Sequence, residues 1–307
     1  MEDNGQWDCI VVGGGAAGLS AALVLGRARR TTLLVDSGEP SNSPAEGIGG
    51  LLGHDGRPPS ELYASGRSEL GSYPSVEVRA GAAVGGYGAE DGFTLELDDG
   101  SSERGHRVLL ATGMDYRYPQ LPGAAERWGR SVFHCPFCHG WEVRDKHVGL
   151  VDNGASAVHR ALLLGAWTDR ITLLSNGPLE IEAAELERLQ GAGVAIDERP
   201  IDRIDGEAPR IEAVVLEDGD RLDCDALLIA TEMHQRSDLA ARLGAASGEA
   251  RAPLADPLEV DARLETSVPG LYAAGDIAVT RTPSVANAVA DGSHTAAAIM
   301  QSLMVRA

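Results

Sequence analysis

Basic side chains are scarce in this chain of 307 residues: 26 Lys and Arg stand against 46 Asp and Glu, a formal charge of −20. A field of that sign repels phosphate backbones and anionic lipid headgroups, so neither nucleic acid nor a membrane surface is expected as a partner. Aromatic residues are scarcer still, at 4% of the chain, and the core must therefore be aliphatic. Cysteine occurs only at Cys9, Cys135, Cys138 and Cys224, too few and too scattered for a disulfide scaffold. Long apolar runs are also lacking. The one extended uncharged stretch, Cys9 to Gly26, has 18 residues, the lower limit for a membrane-spanning helix, and five of them are glycine. It follows the acidic start Met1-Glu2-Asp3, so insertion and export are not expected and a cytoplasmic location is.

What the chain does have is glycine, 38 residues of it, and a hydrophobic content of 43%, normal for a packed globular protein long enough for two domains. Many glycines over an aliphatic core suit an α/β nucleotide-binding architecture. The first segment spells such a unit. Cys9-Ile10-Val11-Val12 reads as a buried strand, Gly13-Gly14-Gly15-Ala16-Ala17-Gly18 as a glycine turn and Leu19 to Gly26 as an apolar helix. Thr31 to Val35 is a second strand, ending at Asp36, 23 residues beyond Gly13. Gly13 permits the tight turn, Gly15 lets a pyrophosphate approach the helix N-terminus, Gly18 lets helix and strand pack closely, and Asp36 can accept from ribose hydroxyls. A purely structural glycine turn is the rival reading.

The plan recurs further along. Phe93 to Leu97, the turn Asp98-Asp99-Gly100 and Arg107 to Ala111 read as a hairpin leading into Ala111-Thr112-Gly113. Val214 to Leu216, the turn Glu217-Asp218-Gly219 and Ala226 to Ala230 lead into Ala230-Thr231-Glu232, 119 residues later. Val148 to Val151, the turn Asp152 to Ala157, a helix to Leu164 and the strand Ile171 to Leu174 echo the first glycine turn. The expected fold is thus α/β, with two Rossmann-like nucleotide-binding domains. A helix is expected from Ser284 to about Leu303.

Between the copies lies Phe133-His134-Cys135-Pro136-Phe137-Cys138-His139-Gly140-Trp141-Glu142. Cysteines at this spacing can close a small disulfide and stabilise one thiolate, the requirement of thiol–disulfide exchange. Zinc would need a second ligand pair, and Cys9 and Cys224 stand alone; no metal is expected. Cys135-x-x-Cys138-His139 also spells a haem attachment sequence, a feature of exported proteins.

The glycine turn at Gly13, the Ala-Thr-Gly at 111–113, the Cys-x-x-Cys at 135–138 and the Gly-Asp at 275–276 come in the order found in low-molecular-weight thioredoxin reductase-like flavoproteins, which the chain resembles over nearly its whole length. The resemblance implies an FAD domain over 1–115 and 245–307, with an inserted smaller NAD(P)-binding-like domain over 116–244 carrying the cysteines. It implies FAD as cofactor, held by Gly13, Gly15, Ala16, Ala17, Gly18, Asp36, Asn42, Thr112, Gly113, Gly275, Asp276 and Val285. It also implies a homodimer. Cys138 would lie against the flavin and Cys135 would face the substrate. Reductases of the family usually carry an aspartate after the second cysteine; here His139 stands there, and a neutral imidazole can take a thiol proton near pH 7. Its rival role is to orient the loop, and His134 is expected to be structural.

The second glycine turn departs from a Gly-x-Gly-x-x-Ala pattern. Asp152 replaces the first glycine and could set a carboxylate where a pyrophosphate would lie; Ile171 to Leu174 ends in Ser175-Asn176-Gly177, without an arginine for a 2′-phosphate or an acid for a ribose. This puts NAD(P)H use in doubt. Cys-x-x-Cys-His beside a decayed nicotinamide site resembles the dithiol oxidase branch, which closes disulfides in gliotoxin-, holomycin- and romidepsin-type natural products. That implies a small-molecule dithiol as substrate and O2 as acceptor, with H2O2 as product. An NAD(P)H-dependent disulfide reductase and a flavin redox sensor without turnover are the competing readings.

Overall fold

The computed structural model describes residues 5–278 and 281–304. Two compact units emerge, one of residues 1–43, 51–116 and 232–307, the other of 44–50 and 117–231. The chain returns to the first unit at Glu232, so 232–244, expected in the insert, belongs with the first unit, and the short segment 44–50 belongs with the second.

The first leg runs β1 (Trp7–Val12), α1 (Ala16–Arg27), β2 (Thr32–Asp36), α2 (Pro59–Leu70), β3 (Val76–Ala80), β4 (Ala83–Ala89), β5 (Gly92–Leu97), β6 (Ser102–Leu110) and β7 (Met114–Arg117). The middle leg runs β8 (Val132–Phe133), α3 (Pro136–His139), β9 (Val148–Val151), α4 (Gly154–Leu164), β10 (Ile171–Leu174), α5 (Ala183–Gly191), β11 (Ala195–Asp197), β12 (Ile201–Asp205), β13 (Ala213–Leu216), β14 (Arg221–Asp223) and β15 (Ala226–Ile229). The chain comes back through β16 (Glu232–Gln235), α6 (Leu239–Arg242), β17 (Leu271–Ala273) and α7 (Val285–Met304).

In the first unit the strand order is β3-β2-β1-β6-β5-β4, with β17 on β6. β1 lies parallel to β2 and β6, and β17 is parallel to β6, so β1 is covered on both faces and reads as a continuous apolar run. Its side chains divide by parity: Ile10 and Val12 join the cluster of Leu33, Leu95 and Leu110, while Cys9 and Val11 pack with Leu34, Leu109 and the inward faces of α1 and α7. α1 and α7 approach closely because Gly292 has no side chain; a Cβ there would lie 2.1 Å from the Ala17 carbonyl oxygen.

The second unit has the parallel order β11-β10-β9-β15-β8 and a separate antiparallel sheet β12-β13-β14. The repeat holds, with one physical difference. In the first unit the strand that returns from the hairpin, β6, is continuous over nine residues. In the second it breaks at Cys224-Asp225: β14 closes the hairpin with β13, and β15 joins the parallel sheet instead. Asp225 makes the break, its carboxylate accepting from the His147 amide at 2.9 Å while its own amide donates to the His147 carbonyl. Among the described residues no helix is long and apolar enough to cross a membrane.

Candidate active site

In a parallel sheet every strand points its carboxyl end the same way, and loops leaving that edge converge. In the first unit this edge gathers Asp36 after β2, Gly13 after β1, Thr112 and Gly113 after β6, and Gly275 and Asp276 after β17. Gly13 has φ +106°, and a Cβ on it would meet the Ala111 carbonyl oxygen at 2.3 Å; one on Gly18 would meet the Gly13 oxygen at 1.8 Å. At Gly15 nothing lies within 4 Å of a Cβ position, so this position faces open space. Gly15 also N-caps α1 without a side-chain hydrogen bond, leaving the amides of the first turn, at Ala16 and Ala17, aimed outward as an anion site.

The other sequence candidates fall around this edge. Asp36 accepts from the Gly14 and Gly38 amides at 3.1 and 3.0 Å through Oδ1, and Arg67 from α2 reaches its Oδ2 at 3.3 Å. Asn42 accepts at Oδ1 from the Tyr63 hydroxyl at 2.9 Å, which fixes the orientation of its amide. Asp276 is half-buried, accepts from the Tyr116 hydroxyl at 3.2 Å, and has its pKa raised to about 6 by loss of solvation, with Asp291 adding to the rise. Val285 opens α7, whose N-terminus is capped by Ser284 Oγ accepting from the Asn287 amide at 3.1 Å. Arg67, Tyr63 and Tyr116 were invisible to motif reading, because each acts through a contact with a residue 21 or more positions away in the chain.

In the second unit the corresponding edge carries His134 and Cys135 after β8, Thr231 after β15, and Asp152 and Asn153 after β9. Cys135 is the extended N-cap of α3 and accepts through its carbonyl from the amides of Cys138 and His139, both at 3.2 Å. The two sulfurs lie 2.7 Å apart. Both cysteines are half-buried, whereas Cys9 and Cys224 are buried and their thiols are pushed well up by burial. A thiol that must lose its proton to react is useless there, which leaves the 135–138 pair for chemistry. From below, Gly49 presses on this turn; a Cβ on it would sit 2.7 Å from the Cys138 carbonyl oxygen.

His139 stacks on Phe133, ring centroids 5.3 Å apart. Its Nε2 is 3.0 Å from the Gly129 carbonyl, which accepts a proton only, so Nε2 carries the hydrogen and Nδ1 the lone pair. Nδ1 is buried with no hydrogen-bond partner. Burial holds the imidazole below its ordinary pKa, against the pull of the Gly129 carbonyl, and keeps it neutral. His134 is stacked on Trp128, itself stacked on Tyr118, and its pKa is depressed to about 4, first by burial and then by His139 and Arg160.

The second glycine turn is filled by its own side chains. The Asp152 carboxylate forms a close ion pair with Arg160 of α4, accepts from Ser156 Oγ at 3.1 Å through both oxygens, and takes the Asn153 amide at 2.8 Å. Asn153 caps α4, its Oδ1 taking the amides of Gly154 and Glu180 at 2.8 Å each, and donates from Nδ2 to the Pro178 carbonyl. The turn before α4 thus holds a carboxylate paired with Arg160, and the helix N-terminus is capped by the Asn153 side-chain oxygen.

Two Rossmann-like units, one with an open glycine turn and one carrying a dithiol turn, define a flavoprotein disulfide oxidoreductase architecture. The comparisons agree: the family model for pyridine nucleotide-disulphide oxidoreductases matches residues 7–292. The chain is 32% identical over 281 residues to thioredoxin reductase tcpT of Claviceps purpurea, covering 88% of this chain and 86% of that one. It is 31% identical to thioredoxin reductase aclD of Aspergillus oryzae, over 97% and 96% of the two chains. Among solved structures it is similar to an oxidoreductase from Agrobacterium tumefaciens, with TM-score 0.91, 36% identity and coverage of 98% and 100%. It is likewise similar to HlmI, with TM-score 0.90, 35% identity and coverage of 99% and 95%. The chain belongs to the thioredoxin reductase-like members of the pyridine nucleotide-disulphide oxidoreductase family.

The family implies FAD. The first unit fits such a group: the free space at Gly15, the outward amides of α1 and the half-buried Asp36 match pyrophosphate and ribose, and the half-buried Asp276 supplies an acceptor at the same edge. At the corresponding turn of the second unit the Asp152 carboxylate is paired with Arg160, and Asn153 caps α4.

Proposed function

We propose that this protein is an FAD-dependent dithiol oxidase that closes an intramolecular disulfide in a small-molecule dithiol, with O2 as final acceptor and H2O2 as product. The observation that carries this reading is the Asp152 carboxylate, ion-paired with Arg160 at the second glycine turn, next to a helix end capped by Asn153. A dinucleotide pyrophosphate would have to displace an ion pair and a capped helix end while meeting a like charge. Reducing equivalents then enter from sulfur.

In this scheme a substrate thiolate attacks Sγ of Cys135 in the oxidised pair, and Cys138 leaves as thiolate. The second substrate thiolate attacks the substrate sulfur of the mixed disulfide, Cys135 departs, and the cyclic disulfide is released. Two electrons and two protons pass from substrate to the cysteine pair. Bound FAD supplies the acceptor for those electrons and their delivery to O2. His139 takes a thiol proton at Nδ1, the one ring atom left basic by the Nε2 contact with Gly129, and its burial keeps it unprotonated and ready below neutral pH. In the first unit, Gly13, Gly15, Ala16, Ala17, Gly18, Asp36, Asn42, Thr112, Gly113, Gly275, Asp276 and Val285 would hold FAD.

A second reading, an NAD(P)H-dependent disulfide reductase, is favoured by the similarity to tcpT and aclD, both named thioredoxin reductases. An oxygen electrode separates the two. The oxidase consumes one O2 per dithiol with no nicotinamide added, and Cys138→Ser stops consumption; uptake that requires NADPH, or that survives Cys138→Ser, would overturn the proposal.

A further inference from the structure

Aromatic rings are rare in this chain, and apart from Tyr87 those with most of their surface in solvent are Phe137 and Trp141, each 66% exposed. Phe137 lies between the two cysteines and Trp141 three residues past Cys138. Neither ring is loosely placed. Phe137 stands edge-on against Trp167, with centroids 5.6 Å apart and planes at 85°. Gly140 makes that contact possible, since a Cβ on it would lie 2.6 Å from the Trp167 ring and 2.5 Å from the Pro136 carbonyl oxygen. Over one face of Trp141 sits the Arg144 guanidinium, 4.1 Å from the ring centroid and held by Nη1 donating to the Trp141 carbonyl at 2.6 Å. One ring face is thereby occupied by a cation, and the side chain is fixed while still two-thirds in solvent.

Rings kept rigid and wet forgo burial worth about 25 cal/mol per Å², which marks them as a contact surface. Its size selects the occupant. Two such rings offer roughly 300 Å² of apolar area, well short of the ~800 Å² per partner of a standard protein interface but enough for a ligand of a few rings. The adjacent thiol chemistry requires that ligand to bring two sulfurs.

We infer that the substrate is a low-molecular-weight dithiol built on a planar, uncharged ring, which stacks on Trp141 and makes a second apolar contact with Phe137 while its thiols reach Cys135. This rests on the dithiol reading above. The substrate gives up two electrons and two protons as its sulfurs join, and the Cys135–Cys138 disulfide takes them.

The test uses the FAD-loaded protein without air and two probes with the same four-carbon spacing between thiols, 1,2-benzenedimethanethiol and dithiothreitol. The second-order rate of flavin bleaching is measured for each, and their ratio is compared between proteins, so that intrinsic differences in thiol reactivity cancel. Trp141→Ala is expected to lower the aromatic-to-aliphatic ratio about tenfold and Phe137→Ala several-fold, with Trp141→Phe restoring most of it. Bleaching by both probes with a ratio within twofold of the parent in Trp141→Ala overturns the ring inference alone. A parent protein that neither dithiol bleaches overturns the dithiol reading together with it.

Discussion

The Asp152 carboxylate, just before α4, and the Arg160 guanidinium, eight residues on in the second turn of that helix, form an ion pair with only 6% and 20% of their side chains in solvent. The pair sits at the turn after β9, which corresponds to the Gly13 turn after β1 in the first unit. Its partners Ser156 and Asn153 come from the same turn, and Asn153 is held in turn by the Glu180 amide and the Pro178 carbonyl.

Removing one partner of such a pair strands the other charge. Asp152→Ala is expected to lower unfolding stability by about 2 kcal/mol, less than for a fully buried pair because Arg160 keeps some solvent. Chemical denaturation of the purified variant measures this. The same variant is expected to gain no NADPH reactivity, since Asn153 still holds the Gly154 and Glu180 amides. Rapid NADPH reduction of Asp152→Ala would show that the carboxylate alone had closed the turn.

His134 makes stability depend on pH. Its pKa is about 4 in the fold against an ordinary 6.5, so the folded state binds fewer protons than the unfolded one between those values. The stabilisation is complete above pH 6.5 and is lost as pH falls toward 4, by about 3 kcal/mol in all. Unfolding free energies at intervals across that window should show the decline, and His134→Phe, which keeps a ring over Trp128, should flatten it.

Gly49 bears on the redox turn directly. Gly49→Ala places a methyl 2.7 Å from the Cys138 carbonyl oxygen and 3.2 Å from its Cα, so the backbone of α3 must shift. The expected result is a fall of tenfold or more in dithiol oxidation with FAD content unchanged, read as oxygen uptake per bound flavin. Unaltered uptake would mean that the turn tolerates displacement.

Much of this was legible along the chain. β9 and β10 match Val148 to Val151 and Ile171 to Leu174 residue for residue, because fully buried strands of a parallel sheet read as unbroken apolar runs. The glycine turn at Gly13 and the 135–138 pair were equally plain, since their chemistry depends on spacing alone. The small sheet β12-β13-β14 was only half visible: β12 pairs with β13 across a seven-residue loop, too long for a tight hairpin turn. The break at Cys224-Asp225 depends on a contact with His147, 78 positions away, and the position of 44–50 under Cys138 depends on another nearly 90 away. Asp152 stood out in the sequence as a departure from the glycine pattern, but its partner Arg160 did not, because a helix arginine two turns along carries no motif.

The most direct measurement is an anaerobic titration of the yellow protein, following the flavin absorbance. A stoichiometric amount of dithiol is expected to bleach it within seconds while NADPH and NADH at tenfold excess leave it oxidised. Bleaching by NADPH at a comparable rate, with no dithiol present, would contradict the account.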